Sequence, residues 1–598
     1  MSYLTREQFD KHLDHMRRAE NLIIDTEGTL THPHSETWGL SYSSYGINEY
    51  FAFNHKLGQN LPIEWLSVIV PVVENVPVCT FHNAKHDLRA LRNIGINRFG
   101  KKNYCTMVMS HMTDENRFDK SLNALSLQYG GKPKEMPWQM KLIVDGFGYD
   151  MVPVDLWLNY ASNDADITEE AFHHIYEEFT EQGFDGELWD WEQRWTETLC
   201  SIEDAGVLID VELAEREYFR GRKIMEEMQR ELGFNPGSSD QLGTFLIDEL
   251  GLPVLKWTPG GKSGKRKPSF TKDVMERYDS LLEQRNDKRA KQVLRYRGWQ
   301  KCTSASYLPY MEERSPVDGR LRTTYNMHRA KTGRLTAARL HQIPKISSKE
   351  WNANTKKCII TEEGRTAWEA DFSQLEFRVG ALYALAMDPK TKVLIDIFND
   401  PSRDVFNEMA AHNNMERDPM KTLNYTMQFG GGARRVSEVF NVSELSARGI
   451  ISEYFRNYPG FAKAATFAER RADQRSYVSY WTGRRRHFRF QSEHHKAFNS
   501  LCQGGAFEIV KRQGVRINEA GLNNDECRMD LTVHDSYRFS IENGKEDKYL
   551  PEIKSIMEDV ASLDPEKLGG VKFAVNINKW ATKEKWTPKS CQMKTTIQ

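Results

Sequence analysis

Three pairs of residues in the first third of the chain have spacings that can do chemistry. Asp25 and Glu27 end the apolar run Asn21-Leu-Ile-Ile-Asp25 as Asp-Thr-Glu. On a strand, residues i and i+2 point to one face, so both carboxylates can hold one divalent cation. Asn83 and Asp87 stand four apart on an apparent helix, and Tyr160 and Asp164 have the same spacing, which puts each pair on one face. Taken singly, each pair is ordinary surface polarity. Taken together, Asp25, Glu27, Asp87 and Asp164 can surround two cations ~4 Å apart, an arrangement suited to in-line attack of water on a phosphodiester, with Tyr160 orienting the water.

A second set lies far downstream. Asp371 closes the strand pattern Ala367-Trp-Glu-Ala-Asp371 and precedes a helix. Asp535 sits in Leu531-Thr-Val-His534-Asp535-Ser536, which reads as a hairpin. Between them Arg417, Lys421, Tyr425 and Phe429 recur every fourth residue, hence along one helical face. Two cations followed by two aromatics suit a triphosphate with a base stacked beyond it. The plainer alternative is an amphipathic helix whose aromatics face the core.

These groups need elements to carry them. Residues 1–180 mix short apolar runs with helical patterns, which predicts an α/β layer. Residues 21–25 read as a buried strand, whereas 66–73 fit a strand or a helix turn equally. From Gly186 the pattern is strongly helical. Ser238 and Gln241 form a capping box ahead of Leu242, Phe245, Leu246 and Leu250 on one face.

At 598 residues the chain is too long for one core, and two to four domains are expected. No apolar run is long enough to span a membrane, and the polar start resembles neither a signal nor a transit peptide. Eight scattered cysteines without a CxxC pair point to reduced thiols in a cytoplasmic protein. The net charge of −2 hides an uneven distribution. Residues 256–301 hold 14 Lys/Arg against 5 Asp/Glu, a net of +9 that favours contact with a phosphate backbone. Lys265, Arg266 and Lys267 lie there in a Gly/Pro/Lys-rich loop. Gly261-Lys262-Ser263 is not a P-loop, because Lys256 stands where that motif needs glycine.

Asp-x-Glu, Asn-x3-Asp and Tyr-x3-Asp, in this order, resemble the DEDDy proofreading exonucleases. Asp371-Phe-Ser-Gln-Leu-Glu376, Arg417 through Gly430, and Val533-His-Asp resemble motif A, the O-helix and motif C of family A DNA polymerases, the DNA polymerase I family. Arg297-Gly-x2-Lys301, Thr332-Gly-Arg334-Leu, Gln342-Ile-Pro, Tyr454-Phe-x2-Tyr458-Pro-Gly, Gly483-Arg-Arg-Arg486 and Asn499-x3-Gln503-Gly extend the match over residues 20–586.

The resemblance implies an α/β, RNase H-like exonuclease domain over residues 1–185. An α+β polymerase domain would follow over 186–598, with thumb at about 210–315, palm at about 316–385 and 500–586, and fingers at about 386–499. It implies two Mg²⁺ per site, or Mn²⁺ in their place. Asp371, Asp535 and the Phe372 carbonyl would ligate in one site, and Asp25, Glu27, Asp87 and Asp164 in the other. Arg417 and Lys421 would grip a dNTP, Tyr425 and Phe429 would line its sugar and base, and Glu376 would exclude a ribose 2′-hydroxyl. Arg334, Gln503, Asn499, His534, Arg297 and Lys301, with the basic loop, would contact primer–template DNA. A single-stranded 3′ end would enter the exonuclease site, and no membrane is involved. With no room for a 5′-nuclease domain before residue 21, the layout resembles phage replicative polymerases working in a host cytoplasm. Two positions depart from the pattern: Ser536 replaces the glutamate of motif C, and Phe429 replaces the usual tyrosine, leaving ribose exclusion to sterics. Asp418-Pro419 reads as an N-cap and first helical residue, which would start the helix after Arg417.

Overall fold

Leu22, Ile23 and Ile24 are almost wholly buried, and they begin the first strand of the structure, a computed structural model describing residues 3–29, 33–258, 264–344, 349–582 and 584–586. Strand β1 (Asn21–Gly28) is central in a five-stranded sheet of order β3-β2-β1-β4-β5. Its partners are β2 (Thr37–Ser44), β3 (Ile47–Ala52), β4 (Val78–Phe81) and β5 (Asn103–Cys105). β2 runs antiparallel to β1 and β4 parallel to it. Helices Leu66–Asn75, Ala84–Asn93 and Val154–Glu181 complete the α/β layer. The open choice at residues 66–73 falls to helix: Ile69, Val72 and Val73 form its buried face at helical spacing.

Helix Glu187–Ala205 leads into the second half. Five short strands follow: β6 (Val207–Ile209), β7 (Arg320–Leu321), β8 (Tyr325–Asn326), β9 (Thr336–Ala337) and β10 (Ile359–Ile360). β11 (Arg365–Phe372) comes next, then the hairpin β12 (Tyr477–Ser479) and β13 (Arg485–His487). β14 (Cys527–Val533), β15 (Ser536–Glu542) and β16 (Val575–Lys579) complete, with β11, an antiparallel sheet of order β14-β15-β11-β16. Helix Glu187–Ala205 packs on β14 and helix Glu546–Glu558 on β16, while helices Arg417–Gln428, Pro459–Arg475 and Ala497–Glu519 pack on helix Leu375–Met387.

One continuous apolar core runs from the first sheet through Trp189 and Trp195 of the linking helix to Phe372 and Phe507. The basic segment belongs to a separate projection with its own core of Leu242, Phe245, Val274, Met275, Leu282 and Val293. Here the capping box is half formed. The Ser238 hydroxyl accepts the Gln241 N–H at 3.4 Å, but the Gln241 side chain accepts from Asn235 instead. Helix Ser239–Gly243 then widens into a π-helical turn over Thr244–Glu249. Buried ion pairs tie the halves together: Arg484 to Glu192 at 2.7 Å and Arg486 to Glu115 at 2.7 Å. Two arginines of Gly483-Arg-Arg-Arg486 are thereby spent on this joint.

Candidate active sites

The first site forms where β1 meets helix Val154–Glu181. The two-residue period of β1 presents Asp25 and Glu27 together, and Asp164 comes down from the helix. Ligand atoms of these three carboxylates all lie within 4.8 Å of one another. Asp87, on helix Ala84–Asn93, turns toward β1: its Oδ1 accepts the Thr26 amide at 3.2 Å and the Thr26 hydroxyl at 2.8 Å. Asn83 sits outside that helix as its left-handed N-cap, with φ 75°. Tyr160 is half-buried one turn before Asp164.

The electrostatics of this cluster are those of a cation site. Desolvation, and then the neighbouring Asp164, push the Asp25 carboxyl up to about 7. Desolvation with Asp25 and Asp164 drives Glu27 well above the usual range, and desolvation with Asp25 does the same to Asp87. Burial raises Asp164 while Lys134 opposes it, and burial pushes the Tyr160 phenol up to about 12. Packed carboxylates that resist ionisation are relieved by a bound cation. Asp87 Oδ2 and Asp164 Oδ1 are buried without a hydrogen-bond partner, an orphaning that a ligated ion would remove. The residues therefore fit divalent metal.

Lys134 was not legible as part of this site. It lies in an irregular loop, and its Nζ reaches Asp164 Oδ2 at 2.5 Å. Burial works against its charge, but Asp164, Tyr160 and Asp25 outweigh that and hold the ammonium above its ordinary value.

The second site is built on the antiparallel sheet. Asp371 pairs across strands with Ser536, which places Asp535, in the two-residue turn between β14 and β15, beside it. The Phe372 N–H donates to the Asp535 carbonyl at 3.3 Å. His534 completes the turn at φ 57°, and its ring stands 4.9 Å from that of His341. Ser536 is buried, with its hydroxyl donating to Val533 O at 2.9 Å.

Helix Arg417–Gln428 packs on helix Leu375–Met387, which follows β11. Phe406 shows that the four-residue spacing makes one face: Arg417 and Lys421 lie 5.9 and 5.8 Å from its ring, and the Tyr425 ring 6.0 Å. Phe429 follows, 5.7 Å from Tyr425, as the C-cap. Burial, and then the Asp535 charge, push the Tyr425 phenol up to about 12, so that end of the helix faces the sheet acids. The helix starts two residues earlier than the Asp418-Pro419 cap would place it. Glu416 is the N-cap, Arg417 is the first helical residue, and Pro419 is third. Pro is tolerated there because the first-turn N–H groups have no helical acceptor.

Several cations of this site are held by neighbouring acids. Arg417 pairs with Asp404 at 2.8 Å, a partner the sequence did not reveal. Arg334 pairs with Glu376, whose other carboxylate oxygen is buried without a partner. Arg297 turns into the basic projection and donates to the Pro236 and Phe270 carbonyls. Lys267 pairs with Asp240 at 3.0 Å, while Lys265, Arg266 and Lys301 are exposed. Asn499 and Gln503 share one face of helix Ala497–Glu519, both half-buried.

The chain thus joins an α/β layer with a carboxylate cluster to an antiparallel sheet that carries two further acids. The family model for DNA polymerase family A matches residues 212–582, and that for 3′-5′ exonuclease matches residues 3–180. The chain belongs to DNA polymerase family A. It is 26% identical to DNA polymerase I of Pseudomonas aeruginosa, over 93% of this chain and 63% of that protein. It is 28% identical to the thermostable DNA polymerase I of Thermus aquaticus, over 68% of this chain and 50% of that one. The chain thus spans less than two thirds of the length of these relatives. Among solved structures, the POL domain of Pol1 from M. smegmatis, in complex with DNA primer-template and dNTP, shares the fold. Its TM-score is 0.80 at 20% identity, covering 97% of this chain and 98% of that one. These relatives are bacterial and lend no support to the phage-type expectation. Among the described residues no helix is long and apolar enough to cross a membrane.

Proposed function

We propose that the chain is a template-directed DNA polymerase that extends a primer 3′ end with dNTPs and edits that end by 3′→5′ hydrolysis in DNA replication. The exonuclease would occupy residues 1–185 and the polymerase 186–598. One observation carries the proposal: two separate acid sites stand in one chain, and the second acts through Asp535 on Tyr425 of a helix that bears Arg417, Lys421 and Tyr425 on one face.

Divalent metal, Mg²⁺ by preference, would be held by Asp25, Glu27, Asp87 and Asp164 in the first site and by Asp371, Asp535 and the Phe372 carbonyl in the second. There it supplies charge neutralisation and activation of the attacking oxygen. The chain's own groups do the rest. Tyr160 orients the attacking water, and Lys134 neutralises the scissile phosphate once the cluster no longer needs its charge. Arg417 exchanges Asp404 for the triphosphate, which Lys421 also grips. Tyr425 packs on the incoming sugar, and Glu376 stands where a ribose 2′-hydroxyl would lie. Arg334 leaves Glu376 to join Gln503 and Asn499 at minor-groove acceptors, which are placed alike in every correct pair. Lys301, Lys265 and Arg266 hold duplex phosphates.

The test is primer extension by an Asp25→Ala variant on a primed template. Growth of the primer with dNTPs supports the proposal. Shortening or inertness, with dNTPs bound or not, would leave only a nuclease with a DNA-binding remainder.

A further inference from the structure

Tyr325 bonds to elements of both halves, and no part of the proposed chemistry uses it. It is 1% exposed. Its hydroxyl donates to the Thr532 carbonyl at 2.9 Å and accepts the Thr532 N–H at 3.1 Å. The geometry explains why both bonds fall on one residue. β14 is the edge strand of the palm sheet, and Thr532 faces Tyr537 of β15. In an antiparallel pair the N–H and C=O of one residue point to the same side. On an edge strand, alternate residues aim both groups outward, where they need a partner. The Tyr325 phenol takes the place of the missing strand.

Thr532 lies three residues before Asp535, and its hydroxyl donates to Ser536 O at 3.1 Å across the same turn. That turn holds His534 at positive φ, a conformation that persists only where its surroundings enforce it. The main chain of Tyr325 is anchored in the opposite direction. Its N–H donates to Glu203 Oε1 at 2.7 Å, and its carbonyl accepts Lys85 Nζ at 2.6 Å. Lys85 and Glu203 are themselves a buried ion pair, with Arg89 on the second carboxylate oxygen at 3.0 Å. Lys85 stands two residues before Asp87 on helix Ala84–Asn93. An unbroken line of buried bonds therefore joins the helix carrying Asp87 to the turn carrying Asp535.

We infer that Tyr325 is a positioning residue for Asp535, and that Lys85 and Glu203 extend the same strut to the nuclease helix, so that one buried element sets the geometry of both carboxylate sites. The inference rests on Asp535 being a polymerase carboxylate, and one arm of its test is independent of that role. In Tyr325→Phe, amide exchange of residues 531–535 in the DNA-free, metal-free protein becomes faster. The single-turnover incorporation rate falls roughly tenfold or more, because small misplacement of a reacting group is expensive. The dNTP Kd and hydrolysis of single-stranded DNA stay within about twofold of the parent.

The strut is tested by Lys85→Met with Glu203→Gln, which removes the pair together and leaves Arg89 its second partner, Asp204 at 3.2 Å. Exchange then quickens in residues 84–88 and 531–535, and both activities fall. Lys85→Arg, which keeps the charge and the donor, retains both. Native exchange and native incorporation in Tyr325→Phe would overturn the positioning role. Parallel loss of single-strand hydrolysis and thermal stability in Tyr325→Phe would also overturn it, by showing general destabilisation. Faster exchange with an unchanged rate would separate the strut from Asp535 chemistry and refute the catalytic half. Exchange confined to residues 84–88 in the double variant would refute the coupling between sites.

Discussion

The proposed nuclease and polymerase sites use the same side-chain type in opposite states of readiness. In the first, three carboxylates already lie within 4.8 Å, desolvated and forced up in pKa, with Lys134 paired to Asp164 at 2.5 Å. In the second, the acids lie at a half-buried strand end, and the cations proposed to meet substrate are held by other acids, Arg417 by Asp404 and Arg334 by Glu376. A pocket that takes one frayed strand can be assembled in advance. A pocket that must accept a different dNTP each cycle, and reject wrong ones, gains from groups that are released only when the correct partner arrives.

The largest expected effect separates the two sites. Asp25→Ala with Glu27→Ala should cut primer shortening by roughly a thousandfold or more while extension persists, and Asp371→Ala should do the reverse. Product ladders on one labelled primer measure both, and loss of extension in the nuclease variant equal to that in Asp371→Ala would merge the sites. A smaller effect concerns Tyr425. Its hydroxyl can take the place of a missing 3′-hydroxyl, whereas Phe leaves a phosphate oxygen unpaired at a cost of roughly 1–3 kcal/mol. Tyr425→Phe should therefore discriminate against dideoxynucleotides about tenfold more than the parent, in an exonuclease-deficient background. Equal dNTP/ddNTP ratios of kcat/KM would take Tyr425 out of the nucleotide site. The smallest effect tests the held cation. The Arg417–Asp404 pair is exposed enough to contribute only ~0–1 kcal/mol. Asp404→Asn should accordingly lower the dNTP KM by about fivefold at most, with kcat little changed. A raised KM would show that Asp404 orients Arg417 rather than restrains it.

The periodic parts of both sites were legible. Asp25 and Glu27 share a face because strands have period two, and Arg417, Lys421 and Tyr425 because helices bring every fourth residue together. The His534–Asp535 turn was visible as a break between two strand patterns. Lys134, Asp404 and Tyr325 were not, since their contacts join different elements and carry no local period. The start of the Arg417 helix was misplaced for a local reason. Asp418-Pro419 fits a cap, yet Pro fits the third helical position equally well, and only the backbone of Glu416 decides between them. Gly483-Arg-Arg-Arg486 was legible only as a motif, because nothing nearby announces Glu115 and Glu192 as its buried partners.

Metal binding to the DNA-free protein tests the contrast most directly. Titrating Mn²⁺ at pH 6 and pH 8, followed by calorimetry, should reveal a site that is lost in the Asp25→Ala, Glu27→Ala variant and kept in an Asp371→Ala, Asp535→Ala variant. The sign of its pH dependence follows from protonation. Asp25 has a folded pKa of about 7, above its ordinary value, so a metal must displace protons at pH 6 and far fewer at pH 8. Affinity should rise with pH across that interval. Without metal, the same raised pKa makes the cluster's contribution to stability greatest at low pH and lost as pH rises toward about 7. Mn²⁺ binding that survives in the nuclease variant and vanishes in the polymerase variant would contradict the account.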